Sequence, residues 1–281
     1  MEKKEARLNK SDLLMASAAC AWGFSYIFMK WGLGCLTPSQ IVMLRFGIAF
    51  PFLLLILRKK VWPNKTEVKY SALLAVAVFA LSMFYNYGLK TTDASIAGFL
   101  AGTTVAMVPI LNGILQRKFP EKKVLLSVAL ALGGVALMSV TSGFTIEGGA
   151  WLCLAGACSY AVQIIITNRA LAKECRSLVI GVWQLGFTVL YGLIAAVILG
   201  EMRFSMDTMG WVGILGLAFV SSAYGYIAQT VAQKKVAPER IGFLYSLEPI
   251  FCAVLAFLFF GELMSLKEVA GAVMIFLSIL L

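Results

Sequence analysis

The chain has 281 residues, 60% hydrophobic and 14% charged, with a mean hydropathy of +0.88 and a formal charge of +10. A water-soluble domain carries roughly 25% charged residues to solvate its surface, so this composition calls for lipid as the covering phase. The positive charge does not point to nucleic acid, because it falls in short clusters between apolar runs and forms no basic stripe with interleaved aromatics.

A membrane-spanning helix needs about 20 mostly apolar residues. Ten runs reach or approach that length: 13–33, 39–57, 71–89, 95–116, 124–141, 148–168, 177–199, 209–231, 241–260 and 266–281. The expected fold is an all-α integral membrane protein of ten transmembrane helices. Span one places Trp22, Ser25, Tyr26 and Met29 on one stripe, with Lys30 near the end, where a long side chain can snorkel to the surface. Its basic start and Ala16-Ser17-Ala18 resemble a signal-peptide cleavage site, but losing this helix would upset the charge pattern below, so it is expected to stay.

Span two opens on Pro38-Ser39-Gln40 and carries Arg45 roughly 9 Å below the surface. Arg45 has less freedom to snorkel than Lys30 and calls for a carbonyl, a carboxylate or a substrate anion. Span three offers Ser82, Tyr85 and Asn86. Span four has Gly98 and Gly102 at the spacing of a close helix contact, then Thr103, Thr104 and Pro109. Span six adds Tyr160, Gln163 and Thr167; span seven, Trp183, Gln184, Thr188 and Tyr191; span eight, Ser221, Ser222, Tyr224, Tyr226 and Gln229. For any one of these alone, helix–helix hydrogen bonding or an interfacial belt is the commoner role. Together, aromatics with amides and hydroxyls suit a pocket for a small amphipathic solute.

Span nine holds Glu248 roughly 12 Å deep, the one carboxylate at such depth, on a face shared with Tyr245 and Cys252. Pro249 removes a backbone hydrogen bond and frees the carbonyl of Tyr245, as Pro109 does for Val105. Breaks at matching places in two halves mark the central site of a transporter. The six cysteines form no CxxC pair and read as free apolar thiols. With no histidine in the chain and no convergent nucleophile and base, no catalytic residue, metal site or cofactor is expected.

The basic residues orient the spans. With the N-terminus cytoplasmic, 19 of the 24 Lys and Arg fall in inward segments and three in outward loops (Lys90, Arg203, Lys267). That asymmetry predicts a multi-pass protein of the cell membrane with both termini cytoplasmic. The two halves also echo each other at offsets of 138 to 144. Ala19-Cys20-Ala21-Trp22 answers Ala157-Cys158-Ser159-Tyr160; Tyr85-Asn86-Tyr87 answers Tyr224-Gly225-Tyr226; Pro109-Ile110 answers Pro249-Ile250; Gly133-Gly134-Val135 answers Gly271-Ala272-Val273. Residues 1–141 and 142–281 are thus expected to be two repeats of five spans. An odd number of spans makes the second repeat enter from the opposite side, as alternating access requires.

Several motifs carry a resemblance: Ala21-Trp22-Gly23, Pro38-Ser39-Gln40 with Arg45-Phe46, Thr92-Asp93-Ala94-Ser95 through Gly98-Phe99-Leu100, Ala232-Gln233-Lys234-Lys235, Leu247-Glu248-Pro249 and Gly261-Glu262. In order and spacing the chain resembles the bacterial drug/metabolite transporter superfamily, in its EamA branch. The first half shows Phe119-Pro120-Glu121 where the family has a Gly-Glu pair. The resemblance implies export of amino acids, other metabolites or toxic compounds. The expected activity is secondary transport of a small solute across the lipid bilayer, with protons as the candidate coupling ion; the alternatives are an uncoupled facilitator of the same fold or a non-transporting scaffold. The candidate binding or coupling residues are Glu248, Tyr245, Trp22, Tyr26, Arg45, Asn86, Thr103, Tyr160, Gln163, Trp183, Gln184, Ser222 and Tyr224.

Overall fold

The computed structural model describes residues 10–117, 122–139, 148–202, 204–234, 244 and 247–280. Within them the regular elements are helical. Helix α1 (Lys10–Leu33) is followed by α2 (Pro38–Leu57), whose start is fixed by a reciprocal capping box between Thr37 and Gln40 with Pro38 in the first turn, where a proline's missing N–H is no loss. After a 3-10 turn (Arg58–Val61), α3 (Lys65–Gly88) opens on a second capping box, Asn64 with Glu67. Then come α4 (Ala94–Gly102), α5 (Thr104–Gln116), α6 (Lys122–Ser139), α7 (Gly148–Ala172) and α8 (Ser177–Ile198). Helix α9 (Thr208–Gly216) continues as a π-helical segment (Leu217–Gly225) into α10 (Tyr226–Gln233). Helices α11 (Leu247–Phe260) and α12 (Leu266–Leu280) close the chain.

Among the described residues seven helical segments are long and apolar enough to cross a membrane: Lys10–Leu33, Pro38–Val61, Lys65–Gly88, Ala94–Leu115, Gly148–Ala172, Ser177–Ile198 and Thr208–Gln233. The expected fifth, ninth and tenth spans correspond to α6, α11 and α12, which are shorter. The distribution of polarity suits lipid rather than water. Leu55, Ile56, Ile198, Phe257 and Leu258 are exposed, whereas Asn86, Gln163, Gln184 and Gln229 are wholly buried.

Helix α1 runs through the middle, packed on α11 and on the continuous α9–π–α10 segment. Helix α3 packs on α7 and α8, α2 on α8 and the π segment, α4 on α11 and α7, and α6 on α12. Close approach among α1, α4 and α11 needs bare backbone: a Cβ on Gly23 would stand 2.7 Å from Phe251 Cβ, and one on Gly98 2.7 Å from Cys252. Gly98 thus makes the close contact its sequence spacing predicts. Span four breaks at Thr103, six residues before Pro109. The Thr103 hydroxyl donates to Leu100 O at 2.6 Å and its amide to the same carbonyl at 3.2 Å, tightening the turn, while Pro109 sits inside α5.

The two ends of the bundle are named here by their charges. The Lys30 end holds the last turn of α1, the first turns of α2 and α4, and the last turns of α8 and α11. The Arg176 end holds the starts of α3 and α8.

Candidate solute-binding cavity

Midway along the bundle a cavity of about 40 Å³ opens between α1, α2, α3, α7, the start of α10 and α11, room for a few water-sized groups. Its walls are aromatic. Trp22 meets Tyr160 edge-on at 5.9 Å and Tyr226 at 6.0 Å, and Tyr26 meets Tyr85 at 6.0 Å. The Trp22 Nε1–H donates to the Ser221 carbonyl of the π segment at 3.2 Å, a side chain inserted beside a helix ladder. Two glycines back these walls. A Cβ at Gly225 would lie 2.6 Å from the Trp22 indole, and one at Gly156 2.9 Å from the Tyr85 ring.

An arginine and a carboxyl group also face this space. The Tyr26 hydroxyl donates to Glu248 Oε1 at 3.0 Å, and Arg45 Nε donates to Ser222 Oγ at 2.9 Å, its guanidinium 4.7 Å from the Phe46 ring. Arg45 is 5% and Glu248 7% exposed. Among the described residues neither forms a salt bridge, with the other or with any third group. A lone charge at the centre of a bilayer costs about 3 kcal/mol, so an arginine and a carboxyl group lining one cavity without a salt bridge each call for a compensating partner.

Of the predicted site residues, the structure brings Trp22, Tyr26, Arg45, Tyr160 and Glu248 to the cavity, joined by Ser25, Met29, Ser82, Tyr85 and Tyr226. Ser222 reaches it through Arg45. Asn86 lies behind Ser82, donating to its carbonyl at 2.7 Å, and its own Oδ1 has no partner among the described residues. Gln163 and Gln184 stand towards the Arg176 end, in a chain of amides where Gln229 Nε2 donates to Gln163 Oε1 and Gln163 Nε2 to Gln184 Oε1, both at 3.3 Å. Three other expected residues do not line this cavity. Thr103 bonds within its own turn. Trp183 donates to Val61 O at 2.7 Å, packed on Phe50 and Trp62 away from the cavity. Tyr224 is 43% exposed and pairs with Ser17 at 2.6 Å, because the wide π turn sends Tyr226 inward in its place. Tyr245 lies outside the described residues.

Sequence reasoning missed the polar contacts that hold the Lys30 end. Gly261 has φ +67°, and its amide bonds Phe257 O, an αL helix end that swings Glu262 back beside α11, where its amide bonds Ala256 O. The carboxylate then accepts from Lys30 Nζ at 2.7 Å, from the amides of Ala94 (3.2 Å) and Ser95 (3.0 Å), and from the Ser95 hydroxyl (3.0 Å). Asp93 stands 3.5 Å from Lys30. Lys30 therefore does not simply snorkel. Burial alone would push the Glu262 carboxyl up; the Lys30 ammonium and the two α4 amides outweigh it and hold the carboxyl below its usual range. Gly200 (φ +71°) makes a related corner at the end of α8, a Schellman end in which the Gly200 amide bonds Val197 O and the Glu201 amide Ala196 O at 2.7 Å; the Glu201 carboxylate accepts from Thr37 (2.7 Å) and Ser39 at the start of α2. At the Arg176 end, Glu67 takes Arg176 Nε at 2.9 Å, Nη2 at 2.8 Å and the Arg176 amide at 3.0 Å. The signal for the corners was in the sequence: a glycine just past an apolar run, followed by an acid.

The model of the EamA-like transporter family matches this chain twice, over residues 9–140 and 147–281. The chain belongs to the EamA-like transporter family. It is similar to an uncharacterized transporter of Archaeoglobus fulgidus (25% identity, covering 96% of this chain and 85% of that one). It is also similar to proteins named "Probable amino-acid metabolite efflux pump" in Salmonella typhimurium (25% identity, 95% and 92%) and Escherichia coli (26%, 95% and 92%). One solved crystal structure superposes with a TM-score of 0.70 over 96% of this chain and 94% of its own, at 14% identity; that likeness shows the fold. Membership makes this EamA-family chain a multi-pass membrane transporter rather than an enzyme.

Proposed function

We propose that the protein exports a small zwitterionic metabolite of the amino-acid class by alternating access. The observation that carries this is the pair Arg45 and Glu248: opposite charges, both buried, both facing one aromatic cavity and not bonded to each other. A cation would meet the guanidinium unshielded and an anion the carboxylate; a solute carrying an ammonium and a carboxylate neutralises both. The names of the Salmonella and Escherichia coli relatives agree with that chemistry.

The proposed architecture is ten spans in two inverted halves, 1–141 and 142–281. It is supported by the two matches to one family model and by the pattern of packing. Pairing α1 with α7, α2 with α8, α3 with the α9–π–α10 segment, the α4–α5 pair with α11, and α6 with α12 maps the packing onto itself. Thus α1 on α11 answers α7 on α4 and α5, and α3 on α8 answers the π segment on α2. The Lys30 end is assigned to the outside by the basic asymmetry, with both termini cytoplasmic. Glu248, held by the Tyr26 hydroxyl, is assigned the exchange of a proton as the solute leaves.

The test is counterflow in proteoliposomes with neutral amino acids, cationic dyes and organic anions as separate probes. Amino acids are expected to exchange in the wild type, with loss of at least tenfold in both Arg45→Ala and Glu248→Gln. Exchange of a cationic dye that survives Arg45→Ala would defeat the zwitterion reading. Accumulation driven by a pH gradient, unchanged in Glu248→Gln, would remove Glu248 from coupling.

A further inference from the structure

We propose that Glu262, together with Lys30 and the first turn of α4, is the gate that closes the cavity towards the Lys30 end. The inference rests on reading the central cavity as the solute site. Four observations carry it. The clamp lies next to the cavity along α1, since Met29 lines the cavity and the next residue is the clamp's cation. It joins the ends of α1, α4 and α11, and two of these hold the cavity's Tyr26 and Glu248. The helices beneath it are closely packed, because Gly23 and Gly98 bring backbones together and Cys252 Sγ donates to Ala94 O at 3.0 Å. Finally, the carboxylate is the one group that all the parts share: with Glu262 withdrawn, Lys30 and the amides of Ala94 and Ser95 lose their common acceptor, and α4 can part from α1 and α11.

The second Gly-Glu corner separates this role from simple helix capping. Glu201 also follows a left-handed glycine at the same end and holds the start of α2, but its side-chain contacts are the neutral hydroxyls of Thr37 and Ser39, and it joins one cavity-lining helix, α2, to α8, whereas Glu262 joins two, α1 and α11. Glu262 is therefore assigned the moving contact and Glu201 a fixed one.

The experiment reads access to the cavity and needs no substrate, so its outcome is separate from that of the counterflow assay. Cys20, Cys35, Cys158 and Cys175 are replaced, the buried Cys153 and Cys252 are kept, and Met29→Cys reports on the cavity. Vesicles of known orientation are treated from each side with a membrane-impermeant maleimide, with the background lacking Met29→Cys as control. Adding Glu262→Gln or Lys30→Met is expected to raise labelling from the Lys30 side at least fivefold; adding Glu201→Gln is expected to leave it within twofold. Lys30→Met leaves the α4 amides bonded to Glu262, so it carries the test if Glu262→Gln folds poorly. Unchanged labelling in the folded variants, or an equal rise with Glu201→Gln, would overturn the proposal. Failure of both Glu262→Gln and Lys30→Met to fold would make the clamp a stability element and overturn it as well.

Discussion

The corners at Gly200-Glu201 and Gly261-Glu262 both turn on a left-handed glycine, and they serve two purposes. In both, a left-handed glycine ends a helix and turns the following carboxylate back towards the start of another. The Glu201 corner meets neutral hydroxyls and ties α2, packed along α8, to the end of α8. The Glu262 corner meets an ammonium and two free amides at a helix start, where an anion is favoured by the helix dipole, and ties α4 to two cavity-lining helices, α1 and α11. Backbone geometry thus sets where an acid can point, and the partners decide whether the contact is a rivet or a latch.

The sharpest way to break this comparison is to reverse the charge at the latch. Glu262→Lys places a second cation beside Lys30 and leaves the α4 amides without an acceptor, and a loss of more than about 3 kcal/mol is expected, read as a fall in melting temperature in detergent. The double exchange Lys30→Glu with Glu262→Lys is expected to stay unstable, because lysine cannot accept from Ala94 and Ser95. Full recovery would show that the ion pair alone matters.

Next in size are the glycines. A Cβ at Gly200 or Gly261 meets nothing within 4 Å, so alanine at either costs only the left-handed backbone, about 1–2 kcal/mol. Equal thermal destabilisation is expected, but only Gly261→Ala is expected to speed Met29→Cys labelling from the Lys30 side. Smaller still, Glu201→Gln keeps an acceptor for both hydroxyls and is expected to cost about 1 kcal/mol or less by the same melting measurement, whereas Glu262→Gln leaves Lys30 only the longer contact to Asp93 and costs more.

The smallest effect is one of pH. Because the folded carboxyl of Glu262 lies below its reference value of 4.5, its contribution is present in full above that pH and is lost as the pH falls through the folded value. The difference in melting temperature between wild type and Glu262→Gln is expected to hold steady from neutrality to about pH 5 and to shrink below about pH 4. A gap unchanged at lower pH would count against the depressed carboxyl.

How much of this could be read from the residues follows from range. Apolar runs and basic clusters are local signals, so helix positions were legible, and so were Trp22, Tyr26, Arg45, Tyr160 and Glu248, polar or aromatic groups at mid-depth. Trp183 had the same credentials, yet its indole is claimed by Val61 O, 122 residues away in sequence, a partner that local depth does not reveal. Tyr224 was chosen ahead of Tyr226, because the sequence does not show the π segment that turns Tyr226 to the cavity. Lys30 looked free to snorkel because its partner Glu262 lies 232 residues on. Gly261-Glu262 stood out as a motif, but only the fold shows which helix start it caps.

The π segment has a consequence for how this helix can change. Each π turn spends more residues than an α turn for the same rotation, so Leu217–Gly225 acts as slack in the winding between α9 and α10. An insertion in an ordinary helix would rotate everything beyond it and swing Tyr226 off the cavity and Gln229 out of the amide chain. Here the surplus is taken up locally, and the walls on either side keep their phase.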